Sequence, residues 1–294
     1  MLGQDKREIM THTTVSTWSP KKRLITIAAS IAAVAGVALG TGLTSGAASA
    51  DSPKHSAAKP TVVLVHGAWT DASSFDKVQN ILTKDGYDVL DFANPLRSLS
   101  GDSDYLASFL KTRTTGPVIL VGHSYGGAVV GQAALTDPDV RGLVYVDAFV
   151  PAKGESVLGL LNSAGPVDPT QLFDTVPYPG ATNGDADLFL KKEAFGPGFA
   201  NGLPKATQAE FYSKQRPITF SAVSETATGE QAWTKLPSWY VAGTKDASIP
   251  LSLQLKMAHR ADSSVTKVDA GHLAMVKEPN TVAHVIEKAA KHTK

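Results

Sequence analysis

The sequence predicts an α/β protein in which a mostly parallel central sheet is covered by helices on both faces. Three observations predict it. Short β-branched apolar runs recur, clearest at 61–65 (TVVLV) and 118–121 (VILV), and such runs mark strands buried on both faces. Segments with helical spacing separate these runs, the pattern of βαβ units. The run VILV leads straight through Gly122-His123-Ser124-Tyr125-Gly126 into a stretch of small residues with helical character.

The first fifty residues read differently. Lys21, Lys22 and Arg23 precede an Ala- and Gly-rich apolar run, Leu24 to Leu43, and Ala48-Ser49-Ala50 follows it before Asp51. A basic start, an apolar middle and an Ala-x-Ala end predict a secretory signal peptide over 1–50, cleaved near Ala50/Asp51, and hence a secreted protein. The competing expectation is a retained membrane anchor, but Ala, Gly and Thr insert poorly. Met1 and Met10 both remain open as the start. Residues 51–60 are polar, carry Pro53 and Pro60, and read as a short tether.

Beyond the tether, strands are expected at 61–65, 87–92, 118–121, 143–146, 239–242 and 265–268. Helices are expected at 74–84, 104–111, 128–135 and 281–290. The core thus divides into an N-terminal part, 61–150, and a C-terminal part, 238–294. Between them, 151–237 has many Pro and Gly, scattered aromatics and no clear buried strand. It reads as a cap inserted above the sheet, with helices near 186–195 and 205–214.

Composition narrows the function. The chain has 294 residues, 43% hydrophobic and 19% charged, which argues against disorder. A net charge of +1 gives no electrostatic footprint for nucleic acid. Removing 1–50 takes away five of 28 basic and two of 27 acidic residues, leaving a 244-residue chain of net charge −2. After cleavage no stable membrane association is expected. The absence of cysteine excludes disulfides, thiolate catalysis and zinc–thiolate sites. Oligomeric state is not legible.

The Gly-x-Ser-x-Gly run carries the chemistry. A serine nucleophile must project sharply from a strand end, in a strained backbone conformation with no room for side chains at Gly122 and Gly126. Its hydroxyl needs a base. His272, in a loop after the last strand, is the expected base, ahead of His66, His123, His259 and His284. The base needs an orienting acid. Asp246 lies just past the 239–242 strand, and Asp147, past 143–146, is the alternative. Two backbone donors must hold the oxyanion, expected at Tyr125 and at Ala68 after the first strand. Trp69 is expected to line the substrate pocket, as is Trp233 from the cap.

The runs VLVHGAW, VGHSYGGAVV, YVDAFVP, PSWYVAGTKD and GHLAMVKEP resemble the α/β-hydrolase superfamily. They are most similar to bacterial esterases related to plant methylesterases and hydroxynitrile lyases. The resemblance covers nearly all of 60–290 and is weakest through the cap. It implies an α/β-hydrolase fold with a helical cap before the strand carrying the acid. It also implies a triad of Ser124, Asp246 and His272, oxyanion amides at Ala68 and Tyr125, and no metal or organic cofactor. The plant lyases carry Thr at the position of Gly67 and Lys at that of Leu273, and both serve cyanohydrin chemistry. The expected activity is therefore hydrolysis of a small-molecule carboxylic ester. Amide or lactone hydrolysis, or perhydrolysis, at the same triad are alternatives, and a non-catalytic ligand binder is a more distant one.

Overall fold

The computed structural model describes residues 59–166 and 168–293. The expected signal peptide, 1–50, and residues 51–58 of the expected tether lie outside the described residues.

Six parallel strands form the central sheet: β1 (Thr61–Val65), β2 (Val89–Phe92), β3 (Val118–His123), β4 (Val140–Val146), β8 (Ser238–Gly243) and β9 (Ser264–Val268). Their order is β2-β1-β3-β4-β8-β9. The chain order reverses at β1 and β3, the switch point beyond which open α/β sheets bind ligands. Side-chain alternation divides the core into two layers. Val63, Val65, Val118 and Leu120 face one layer with Leu106 and Leu110 of α2 (Leu99–Arg113) and Val129 and Val130 of α3 (Tyr125–Ala133). Val62, Leu64, Ile119 and Val121 face the other, with Val78 and Leu82 of α1 (Asp76–Lys84) and Val282 and Ile286 of α11 (Pro279–His292). Burial on both faces explains why these strands read as continuous apolar runs.

Local chemistry sets the helix ends. Ser98 caps α2 by accepting from the Gly101 amide at 3.1 Å. Pro279 opens α11, where its missing N–H costs no hydrogen bond. The core elements lie where the sequence predicts them, mostly extended by a few residues. Helix α9 (Leu251–Arg260) adds a helix between β8 and β9, and α10 (Ala274–Lys277) precedes α11.

The segment 151–237 departs from expectation. It contains α4 (Val157–Ala164), α5 (Pro169–Leu172), β5 (Phe173–Val176), β6 (Asp187–Leu190), α6 (Lys192–Ala194), a π turn (Phe195–Phe199), α7 (Lys205–Ser213), β7 (Ile218–Thr219) and α8 (Phe220–Ser224). The helix near 205–214 is present as α7. A helix over 186–195 is not: its first half is β6, the centre of an antiparallel sheet β5-β6-β7. Leu188 and Leu190 alternate with period two, and hydrogen bonding on both sides outweighs the helix-forming residues that follow.

Candidate active site

The loops that follow β1, β3, β4, β8 and β9 meet along one edge of the sheet, because all six strands run in the same direction. Ser124 follows β3 at the start of α3 with φ 51° and ψ −125°. A non-glycine residue at positive φ costs of order 1–3 kcal/mol and persists only where its surroundings enforce it. They do so here through close backbone approach. A Cβ at Gly122 would lie 2.7 Å from the Gly127 Cα, and one at Gly67 would lie 2.6 Å from the Ser124 Cβ. The second contact explains locally why position 67 carries no side chain.

Ser124, His272 and Asp246 form one hydrogen-bonded chain. The Ser124 hydroxyl lies 2.9 Å from His272 Nε2, and His272 Nδ1 lies 2.8 Å from Asp246 Oδ2. An ionised carboxylate only accepts, so Nδ1 carries the proton and Nε2 is left to accept from the serine. All three side chains are buried. Asp246 Oδ1 accepts from the amides of Ser248 (2.7 Å) and Ile249 (2.9 Å), and Oδ2 also accepts from Gln254 Nε2 at 3.1 Å. Gln254, fully buried on α9, was not singled out from sequence. Nothing in its linear surroundings connects it to a residue eight positions earlier.

Asp147, the alternative acid, takes a different part. Its Oδ1 accepts from the Gly243 amide at 2.7 Å and its Oδ2 from the Ala274 amide at 3.1 Å. It thereby ties the end of β8 to the helix after His272. Burial, reinforced by the neighbouring Asp246, pushes its carboxyl well above the usual range.

Two further histidines support the edge. His66 Nδ1–H donates to the Gly67 carbonyl (2.9 Å), and its Nε2 accepts from the Asn94 amide (3.1 Å). Burial lowers its pKa from 6.5 to about 4, so the ring is neutral. His123 is also buried, and desolvation together with His272 holds it well below the ordinary value. Its Nε2–H donates to the His272 carbonyl at 2.9 Å. His259 and His284 lie on α9 and α11.

Ala68, Tyr125, Ser124 and His272 line one cavity of about 210 Å³. Trp69 and Phe149 from the core and Leu161, Phe173, Leu188 and Phe199 from 151–237 form much of its wall. Among the described residues, none of those lining it is Lys, Arg, Asp or Glu. Phe199 lies edgewise to Trp69 (centroids 5.7 Å) and close to the His272 ring (5.2 Å). Trp233 is not part of this wall, contrary to the sequence expectation. Its Nε1–H donates to the Pro151 carbonyl (3.1 Å) and its ring carries the Arg260 guanidinium at 5.6 Å. Among the described residues no three His, Asp or Glu side chains converge as a metal cluster would.

Such an arrangement can activate a serine hydroxyl beside an uncharged, apolar chamber. Comparison with known proteins supplies the family. Residues 62–285 match the alpha/beta hydrolase family. A carbendazim hydrolyzing esterase of Nocardioides sp. (strain SG-4G) is 37% identical over 126 residues, covering 38% of this chain and 51% of that protein. A candidate chloroplastic methylesterase (number 13) of Arabidopsis thaliana is 29% identical over 212 residues, covering 66% of this chain and 48% of that protein. The matches thus span about half the length of each of these two relatives. Among solved structures, polyneuridine aldehyde esterase superposes with a TM-score of 0.66 at 21% identity, over 78% of this chain and 98% of that one. The resemblance to the plant methylesterase branch is therefore borne out, and the chain belongs to the alpha/beta hydrolase family.

Proposed function

We propose that this protein is a secreted serine esterase that cleaves small, uncharged carboxylic esters through an acyl-enzyme. The observation that carries the reading is the chain Ser124–His272–Asp246, buried and hydrogen-bonded at 2.9 and 2.8 Å, at the wall of an apolar cavity. His272 Nε2 takes the Ser124 proton as Oγ attacks the ester carbonyl. Asp246 holds the imidazole in the productive tautomer and stabilises its cation. The amides of Ala68 and Tyr125 receive the oxyanion. His272 then protonates the leaving alcohol, and water repeats the sequence to release the acid. A wall without charged side chains offers no counter-charge to an ionic substrate and favours neutral esters. The esterase names among the relatives support the same class.

Hydrolysis of p-nitrophenyl butyrate tests the reading. The wild type is expected to turn over and to be labelled by a fluorophosphonate, and Ser124→Ala to do neither. Turnover by Ser124→Ala near the wild-type rate would sink it. Export is tested by mass spectrometry of the secreted protein. An N-terminus at Asp51 is expected, and one upstream of it would count against cleavage there.

A further inference from the structure

We infer that the small sheet β5-β6-β7 sets the geometry of the oxyanion hole, through two separate hydrogen-bonded arms, one to each donor. The inference rests on the proposed roles of the Ala68 and Tyr125 amides.

The first arm runs through Trp69, the residue after Ala68. Trp69 holds φ at 58°. Its backbone N–H donates to the Arg216 carbonyl at 2.8 Å, two residues before β7. Its indole Nε1–H donates to the Leu188 carbonyl of β6, also at 2.8 Å, and the ring stacks on Phe173 of β5 at 5.4 Å. The Trp69 amide is thus committed to the insertion. Ala68 lines the cavity, and its amide has no acceptor among the described residues.

The second arm starts at the far end of the Tyr125 side chain. Its buried hydroxyl donates to Asp102 Oδ2 at 2.8 Å. The Asp102 carboxylate, also buried, accepts the Arg97 amide at 3.2 Å on both oxygens. Arg97 is in turn held by the insertion: its carbonyl accepts from the Thr219 hydroxyl of β7 at 2.7 Å, and its guanidinium pairs with Asp187 of β6 at 2.5 Å. The preceding carbonyl, of Leu96, accepts the Thr219 amide at 3.1 Å. Leu96 sits at φ 61°, so this loop holds an uncommon backbone conformation while pinned on both sides.

Both arms end on the same sheet, and Leu188 and Leu190 of that sheet form part of the cavity wall. Oxyanion donors act only when held within about 2.7–3.1 Å of the developing charge, and small displacements carry large rate penalties. The insertion is therefore part of the device that stabilises the transition state, as well as a cover over the substrate. Asp102, Arg97 and Thr219 are positioning residues, because none of them lines the cavity.

The test uses p-nitrophenyl butyrate kinetics and the affinity for butylboronic acid, whose tetrahedral adduct on Ser124 places an oxygen in the hole. Tyr125→Phe and Thr219→Val each remove one hydroxyl with little change of shape. Each is expected to lower kcat about tenfold and to weaken the boronate in proportion, with KM within about twofold of wild type. Thr219→Ser, which restores the hydroxyl, is expected to recover the wild-type values. The double variant Tyr125→Phe/Thr219→Val should cost little more than either alone, since both cut one arm. Trp69→Phe, on the other arm, should multiply the loss in kcat. Unchanged kcat and boronate affinity in Tyr125→Phe and Thr219→Val of wild-type melting temperature, or a rise in KM alone, would overturn the inference. Ser124→Ala separates the two readings. If it retains turnover, the esterase assignment fails. If it is inactive while those variants are unaffected, only the two-arm inference fails.

Discussion

The edge of the parallel sheet and the insertion 151–237 wall the same cavity but are built on different principles. At the edge, Ser124, Asp147, Asp246 and His272 each follow a strand whose neighbours fix its register, as in Val65↔Gly122 and Gly243↔Val268. These residues are buried, and their polar atoms point at one another or at backbone amides. In the insertion the strands are two to four residues long, and Val176 and Phe220 are close to half exposed. The reacting groups are placed where the backbone is over-determined. The insertion supplies the cavity wall and, through Trp69 and Arg97, holds the oxyanion donors from outside.

The largest contrast is expected at the nucleophile. Ser124→Ala should cost about 10⁶-fold in kcat, read on p-nitrophenyl butyrate. A comparable loss from any single insertion residue would erase the distinction between the two regions.

The two carboxylates at the sheet edge come next. Asp246→Asn should lower kcat about 10⁴-fold, because the amide oxygen stays with the Ser248 and Ile249 N–H groups and the NH2 then donates to His272 Nδ1, which fixes the wrong tautomer. Asp147→Asn should act on stability instead, by about 1–3 kcal/mol in urea unfolding, since one buried N–H loses its acceptor. A reversed pattern would make Asp147 the acid.

Packing should divide the regions as well. Leu120→Ala in β3, fully buried, is expected to cost about 2–5 kcal/mol. Val176→Ala in β5 should stay within about 0.5 kcal/mol. Equal losses in denaturant titrations would show that the insertion is packed as tightly as the core.

Acid should loosen the edge through His66. Its folded-state pKa of about 4 lies below the ordinary 6.5, so its neutral form is favoured by folding. The associated stability is fully present above about pH 6.5 and is lost as pH falls through 4, amounting to about 3 kcal/mol. The melting temperatures of wild type and His66→Gln, measured from pH 7 to 4, should diverge at pH 7 and approach each other at pH 4. A constant gap would refute the buried neutral ring.

The smallest effect is expected from shape. Leu161→Trp, narrowing the cavity from α4, should shift the kcat/KM ratio of p-nitrophenyl octanoate to acetate about tenfold toward acetate. No shift would remove Leu161 from the substrate's path.

Sequence alone determined the parallel sheet and the positions of Ser124 and His272, and it narrowed the acid to Asp246 or Asp147. Strands buried on both faces must be continuously apolar. Residues just past such strands must emerge at one edge, whatever the rest of the chain does. The nucleophile turn was legible because its glycines are a steric requirement of close backbone approach. Tertiary structure alone decided the rest. β6 is a strand because β5 and β7 flank it, and its four residues leave too short an alternation to stand out beside the helix formers that follow. Trp233 turned to Pro151 and Arg260 instead of the cavity, a choice between partners distant in sequence. The supports of the site, Gln254 behind Asp246 and Asp102 behind Tyr125, are joined to it across helices by single hydrogen bonds. Such bonds depend on where packed elements come to rest, and local residue patterns carry no record of that.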